Sequence, residues 1–372
     1  MKISVFRQSA PAFLAAAIAL NACSANGIQP QAGTFQMLSG RRSAARLDAN
    51  GNPAKVGFWV TNQLQNYLLG QSQNGKQTLV AIDTGQVDCY APTGLKIDGA
   101  QNVWVACLSD VGVGTNASRV LEYDKSGKLL TSLPWTPCPS SAATCFTEGW
   151  DAGFDSKGNI FASVQIASYP VTKNGSTQYV AETGFEWWKT PASKPKFIST
   201  GNACSPACAI YYMDVDDVGN IWFDYFGQGA EGSGYSLGEV IDPTTNPKVI
   251  FPLPIGTYGA ANGVYASDGG RILNVTDAGG VVYRYHLPVT SKSKPFKTLG
   301  PTAASRITGG RDPVSGGFNK DDSSMVLADG LGWLDVGTLS GNKWHRLQSP
   351  GGAFGGVIQS ASFTPSDKTS TP

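Results

Sequence analysis

The chain has 372 residues, among them 45 glycines; only 15% are charged and the formal net charge is +1. No basic stripe is available to neutralise phosphates, which excludes nucleic acid as an expected partner. Abundant glycine with few charges suits an exported all-β chain, and the length allows a large core.

Residues 1–22 carry Lys2 and Arg7, then the apolar run Ala10–Leu20. A basic start, a short apolar stretch and small residues before a cut site describe a secretion signal. The run is too short for a stable membrane span. Its removal takes two positive charges and leaves the mature chain near −1. Leu20-Asn21-Ala22-Cys23 resembles the lipobox of bacterial lipoproteins, although Asn21 stands where a small or β-branched residue is usual. The resemblance implies lipidation at Cys23, with an ordinary signal peptide as the alternative. Ser24 implies outer-membrane sorting, so the expected location is the bacterial cell envelope, as an outer-membrane lipoprotein facing the periplasm or the surface. Residues 23–52 lack a strand pattern and read as a flexible tether, with Arg41-Arg42 as solvated charges.

From residue 53 onward the pattern is short β-branched and aromatic runs broken by Asp, Gly, Asn and Ser turns. The first unit has strands at 56–62, 67–71 and 78–83 but no inner strand of its own. The second, 93–133, holds four strands in series. Its segment Asp98-Gly-Ala-Gln-Asn-Val-Trp104 recurs as Asp155-Ser-Lys-Gly-Asn-Ile-Phe161 and Asp216-Asp-Val-Gly-Asn-Ile-Trp222, with fainter copies at 268–273 and 320–326. The Asn102 position repeats at Asn159, Asn220, Arg271 and Ser324, at spacings of 57, 61, 51 and 53. A four-stranded unit at such a period predicts a β-propeller. The units are 93–133, 150–199, 210–253, 262–299 and 314–348, and residues 355–365 supply the inner strand missing from the first. The expectation is an all-β, six-bladed propeller over 53–366, closed by strands from both ends of the repeat region, with a disordered tail at 367–372; seven blades is the alternative.

Phe58-Trp-Val-Thr-Asn62 resembles the YVTN repeat, and Pro92–Leu95 with Asp98–Val105 and Val120–Asp124 resembles the NHL repeat. Asp216–Phe223 is similar to repeats of the streptogramin lyase family, and Asn262-Gly-Val264 to a segment of the gluconolactonase (SMP-30) family. These likenesses imply the fold over 56–365 and bear little on function, because propellers host many activities. The lactonase likeness implies a divalent metal held at the channel mouth by Glu, Asn and Asp. Asn262 matches the Asn; Tyr211-Tyr212 and Thr93 occupy slots where the acid is expected, and the Glu has no counterpart. The lyase likeness implies a histidine base. His286 and His345 fall on outer strands, away from any cleft.

Setting Cys23 aside, six cysteines form three near pairs: Cys89 with Cys107, Cys138 with Cys145, and Cys204 with Cys208. Export makes disulfides the expectation. A four-thiolate zinc site is the rival, against which the spacings of seven and four residues weigh. Gly234-Tyr-Ser-Leu-Gly238 and Gly227-Gln-Gly-Ala-Glu-Gly232 match a nucleophile elbow and a phosphate loop in letters only, because neither opens a helix. Asp214, Asp216 and Asp217 offer oxygens to a possible calcium, or simply fix a turn; no other cofactor is expected.

In a four-stranded meander the strand two-to-three loops and the blade linkers share one face. The long insertions 108–118, 166–178 and 225–236, and the linkers 134–149 and 200–209, all fall there. Long loops on a rigid scaffold carry function, and aromatics anchor proteins or stack on sugars. Trp135, Trp150, Asp151, Tyr169, Tyr225, Phe226, Tyr235 and Asn262 are therefore the candidate binding residues. The expected protein is a monomer that binds a protein or envelope glycan and contacts the membrane through its lipid. A metal-dependent lactonase or lyase with a central-channel site is the alternative.

Overall fold

The repeated Asp–Asn–Trp spacing closes a tight turn and aims a carboxylate at an indole. In the computed structural model, Asp98 Oδ1 accepts the Asn102 N–H at 2.9 Å and Oδ2 accepts Trp104 Nε1 at 3.0 Å. Asp216 does the same with Asn220 at 2.8 Å and Trp222 at 3.0 Å. In the third copy Phe161 replaces the indole, and Asn159 Nδ2 donates to Asp155 Oδ2 at 2.6 Å instead. The residue before the Asn is left-handed in each: Gln101 (φ 69°), Gly158 (φ 81°) and Gly219 (φ 96°). Glycine meets that requirement at no steric cost.

The structure describes residues 55–63, 65–75, 77–87, 89, 91–107, 119–134, 146–173, 176–200, 208–229, 232–250, 261–277, 281–290, 292–300, 313–329, 333–347, 358–368 and 372. Among them, 24 strands form six antiparallel four-stranded sheets. Blade 1 joins β1 (Phe58–Asn62), β2 (Tyr67–Gln71) and β3 (Thr78–Asp83) to β24 (Ile358–Phe363) as its inner strand. Blade 2 is β4 (Pro92–Ile97), β5 (Val103–Cys107), β6 (Arg119–Tyr123) and β7 (Leu129–Pro134). Blade 3 is β8 (Phe146–Phe154), β9 (Ile160–Lys173), β10 (Ser176–Trp188) and β11 (Lys196–Ser199). Blade 4 is β12 (Cys208–Val215), β13 (Ile221–Gly229), β14 (Gly232–Ile241) and β15 (Lys248–Ile250). Blade 5 is β16 (Ala261–Ser267), β17 (Ile272–Asp277), β18 (Val282–His286) and β19 (Lys297–Leu299). Blade 6 is β20 (Pro313–Phe318), β21 (Ser324–Asp329), β22 (Trp333–Thr338) and β23 (Lys343–Leu347). The seven-blade alternative is thereby set aside.

The core lies in the seams between blades. Trp104, Val120 and Leu133 of blade 2 pack on Ala152, Phe154, Ile160 and Trp188 of blade 3. Trp222 and Leu237 of blade 4 pack on Val264 and Leu273 of blade 5. Six such clusters, one per seam, include the one joining blades 6 and 1, where Val326 and Leu334 meet Phe58 and Ala361. Both faces of every blade are covered this way, and the ring leaves only short, protected edges.

Closure falls at the blade 1 turn. The Thr364 N–H donates to Gly57 O at 3.0 Å, just as the Asp98 N–H donates to Asn102 O. Thr364 therefore occupies the Asp98 position, and its short side chain leaves Trp59 Nε1 without a partner among the described residues.

The insertions expected as loops at 166–178 and 225–236 fold as ribbon. β9 and β10 stay paired out to Lys173 with Ser176, while among the described residues β8 pairs as far as Ala167. β13 and β14 stay paired to Gly229 with Gly232. Val171, Thr172, Tyr179 and Val180 suit a strand, and each extra backbone pair satisfies two polar groups that a loop would leave to water.

Candidate functional site: the channel wall and the ribbon face

Each inner strand carries an irregularity at one level of the ring: Thr93-Gly94, Trp150-Asp151, Tyr211-Tyr212, Asn262, Val314-Ser315 and Gln359. A bulge bends a strand and re-aims its side chains, so six equivalent kinks bring the inner strands together around the axis. The approach is close. A Cβ on Gly94 would lie 2.1 Å from Asp151 Oδ1 and 2.5 Å from Trp150 O. Hydroxyls tie neighbouring kinks. Thr61 Oγ1 donates to Thr93 O at 2.7 Å, and Ser163 Oγ to Tyr211 O at 3.3 Å.

Two charges sit in this wall. Lys96 Nζ and Asp151 Oδ2 are 2.6 Å apart, with side chains 4% and 0% exposed. Asp151 Oδ2 also accepts the Met213 N–H at 3.1 Å, and Oδ1 accepts that of Ala152. Asp151 thus binds blades 2, 3 and 4 together. Burial pushes its carboxyl up to about 6 against the pull of Lys96. In blade 4, Asp224 lies opposite the Tyr211-Tyr212 kink. Its Oδ1 accepts the Tyr212 N–H at 2.6 Å, while Oδ2 has no partner among the described residues. Burial holds this carboxyl well above the ordinary range, and the charge of Asp151 pushes the same way.

Towards the one-to-two turns, the inner-strand residues Lys96, Asp214, Ala266, Gly317 and Ser362 pair with Trp104, Trp222, Leu273, Val326 and Trp59. They line a narrow cavity with Tyr265, Phe318, Asp367 and Lys368. Asp367 and Lys368, the first residues of the segment expected to be a loose tail, are tied here. Asp367 Oδ2 accepts the Asp268 N–H at 2.9 Å, and Lys368 Nζ donates to Asp214 Oδ2 at 2.6 Å. Burial, with Asp322 and Asp214 nearby, raises the Asp367 carboxyl to about 7 despite Lys368.

Of the candidate residues, Trp150 and Asp151 come together in the wall. Trp150 is only 5% exposed and meets Tyr211 edge-on, with centroids 4.7 Å apart. It is a packing residue, not a surface anchor. Tyr169 falls in β9, Tyr225 and Phe226 in β13, Tyr235 in β14 and Asn262 at the β16 kink; at these positions the backbone placement is what the structure describes. Trp135, Cys23, Cys138, Cys145 and Cys204 lie outside the described residues, and Cys208 opens β12. The Cys89–Cys107 disulfide is present, with a Cα–Cα distance of 5.3 Å, pinning the blade 1–2 linker to β5. His286 is exposed and stacks on Phe296 at 4.0 Å. Asp216 serves its turn, as expected of such residues, and Asp217 donates its N–H to Gly270 O. Among the described residues no three His, Cys, Asp or Glu side chains are grouped to hold a metal.

Lys96, Asp224 and Lys368 were not singled out from the sequence. The available signal was a lone charge in an apolar run: Lys96 within Pro92–Ile97, and Asp224 within Ile221–Phe226. A buried charge needs a partner, and such residues mark a wall contact even when the partner is far off in sequence.

The fold and wall define a six-bladed β-propeller. No family model and no curated protein matches the sequence. The chain is similar to a solved structure described as a functionally unknown protein from Desulfotomaculum acetoxidans DSM 771. The two share 12% identity and a TM-score of 0.42, over 82% of this chain and 87% of that one.

Proposed function

We propose that the protein is an exported, lipid-anchored propeller that binds a protein partner or an envelope glycan on the ribbon face of blades 3 and 4. The observation that carries this reading is the long β9–β10 ribbon, paired out to Lys173 with Ser176, whereas among the described residues β8 pairs only as far as Ala167. A two-stranded ribbon is marginal in water when it stands alone, and recognition elements are drawn from such low-stability parts of a rigid scaffold. The residues along it include Tyr169, Val171, Tyr179 and Val180, and the β13–β14 ribbon adds Tyr225, Phe226 and Tyr235.

The metal-dependent lactonase reading has less support. Asp151 accepts from Lys96, and Asp214 from Lys368, so both carboxylates already have a cation of this chain's own.

The test is a variant in which residues 168–180 are replaced by a two-residue turn, compared with the wild type for co-sedimentation with purified peptidoglycan and for site-specific cross-linking in intact cells. Loss of both signals in a variant that melts normally supports the reading; undiminished binding by the trimmed protein overturns it. Cys23→Ser moves the protein from the membrane to the soluble envelope fraction if the anchor is as proposed.

A further inference from the structure

We propose that the channel floor is a binding site for a primary alkylammonium group, with Lys368 as its occupant in cis. The segment 364–368 leaves β24 and crosses the floor outside any blade. It touches five of the six blades. Thr364 bonds Gly57 of the blade 1 entry, and the Lys320 N–H of blade 6 donates to Pro365 O at 3.1 Å. Ser366 forms an isolated antiparallel bridge with Asn319 of blade 6, and donates its N–H to Gln101 Oε1 at 2.9 Å and its Oγ–H to Ile97 O at 3.2 Å, both in blade 2. Asp367 bonds Asp268 of blade 5.

The segment delivers one cation to a prepared place. Lys368 Nζ donates to Asp214 Oδ2 at 2.6 Å and to Ala266 O at 3.0 Å. Asp214 is 1% exposed and Lys368 13%. The Asp214 carboxylate is itself held, with Oδ2 accepting the Ala266 N–H at 2.8 Å and Oδ1 that of Val215 at 2.9 Å. A carboxylate fixed by two backbone donors, a carbonyl beside it, and a second acid in Asp367 recognise an –NH₃⁺ by charge and by donor count. Lys368 shares its narrow cavity with Ala266, Gly317 and Ser362, so truncating its stem vacates the path that a linear alkyl group would follow. This differs from the Lys96–Asp151 pair, whose partners both belong to inner strands and cannot leave without opening a blade.

The test is chemical rescue, which is independent of what the ribbon face binds. Lys368→Ala deletes the four atoms that n-propylammonium restores. Thermal unfolding of this variant is followed against n-propylammonium, with sodium and tetramethylammonium chloride at equal ionic strength as controls. The expected result is a lowered Tm that rises saturably with n-propylammonium alone. Wild type, whose site is already filled, does not respond, and neither does Lys368→Met, whose side chain occupies the alkyl path. If Lys368→Ala shows no cooperative transition, its return with n-propylammonium supports the site and its absence overturns it. Equal responses to all three cations, or an equal response in wild type, also overturn it.

Discussion

Lys96 and Asp151 close the seam between blades 2 and 3 from the inside, as a 2.6 Å ion pair with both partners sealed from solvent. Such a pair contributes little relative to a well-packed apolar replacement, but removing one partner strands the other charge. Lys96→Met is therefore expected to cost about 3–5 kcal/mol in denaturant unfolding. The double change Lys96→Met with Asp151→Asn should recover much of that loss. Additive losses would mean that the two side chains do not act as a pair.

The buried carboxyls give stability a definite dependence on pH. Asp151 titrates at about 6 and Asp367 at about 7 when folded, against an ordinary value of 3.8. A raised folded-state value means that the native protein holds its proton more tightly than the unfolded chain does. That stabilisation is complete below about 4 and is lost as pH climbs through 6 and 7. Asp367→Asn should shrink the drop in Tm between pH 5 and pH 8, the measurement being a melt at each pH for variant and wild type. An unchanged drop would show that Asp367 is not among its sources.

Trp59 and Trp104 hold equivalent places in blades 1 and 2 but unequal polar surroundings. Trp104 Nε1 donates to Asp98, whereas Trp59 Nε1 has no partner among the described residues. Both substitutions to Phe remove similar volume. Trp104→Phe also leaves a buried carboxylate oxygen unsatisfied, so it should cost more by about 1–3 kcal/mol. Equal costs in urea unfolding would contradict the role given to Asp98.

The Cys89–Cys107 bridge spans 18 residues of sequence. Cross-linking a loop of that size restricts the unfolded chain by about 3 kcal/mol. The Cys89→Ala, Cys107→Ala double variant is expected to lose about that much, read from the denaturation midpoint at constant slope.

The glycine at position 94 is needed because blades 2 and 3 approach there and not because of its backbone angles. Gly94→Ala would press on Asp151 and on the Trp150 carbonyl. Overpacking of this kind costs about 1–3 kcal/mol, and the spectroscopic signature to watch is the near-ultraviolet signal of Trp150.

The blade count and the strand positions were legible because their causes are local. An Asp four residues before an Asn and six before a Trp builds its turn from neighbours in sequence, and period-two runs announce strands without reference to the rest of the chain. The first blade's three strands and its borrowed inner strand follow from the same local signals plus the missing member of the repeat. Tyr, Pro, Asn and Gly mix over 166–178 and point to a loop, and only cross-strand pairing makes that stretch a ribbon. Positions in the wall such as Thr93, Asp151, Tyr211 and Asn262 stand out in the sequence, but the charge pairings across it are not legible there. Asp151 lies 55 residues from Lys96, and Asp214 lies 154 from Lys368. Those pairs exist because six kinked strands converge on one axis and the last segment crosses beneath them, distances that depend on ring closure. The sequence by itself therefore determined the blades and their turns. The tertiary structure alone decided which buried charges meet, since that depends on the radius of the ring rather than on any spacing along the chain.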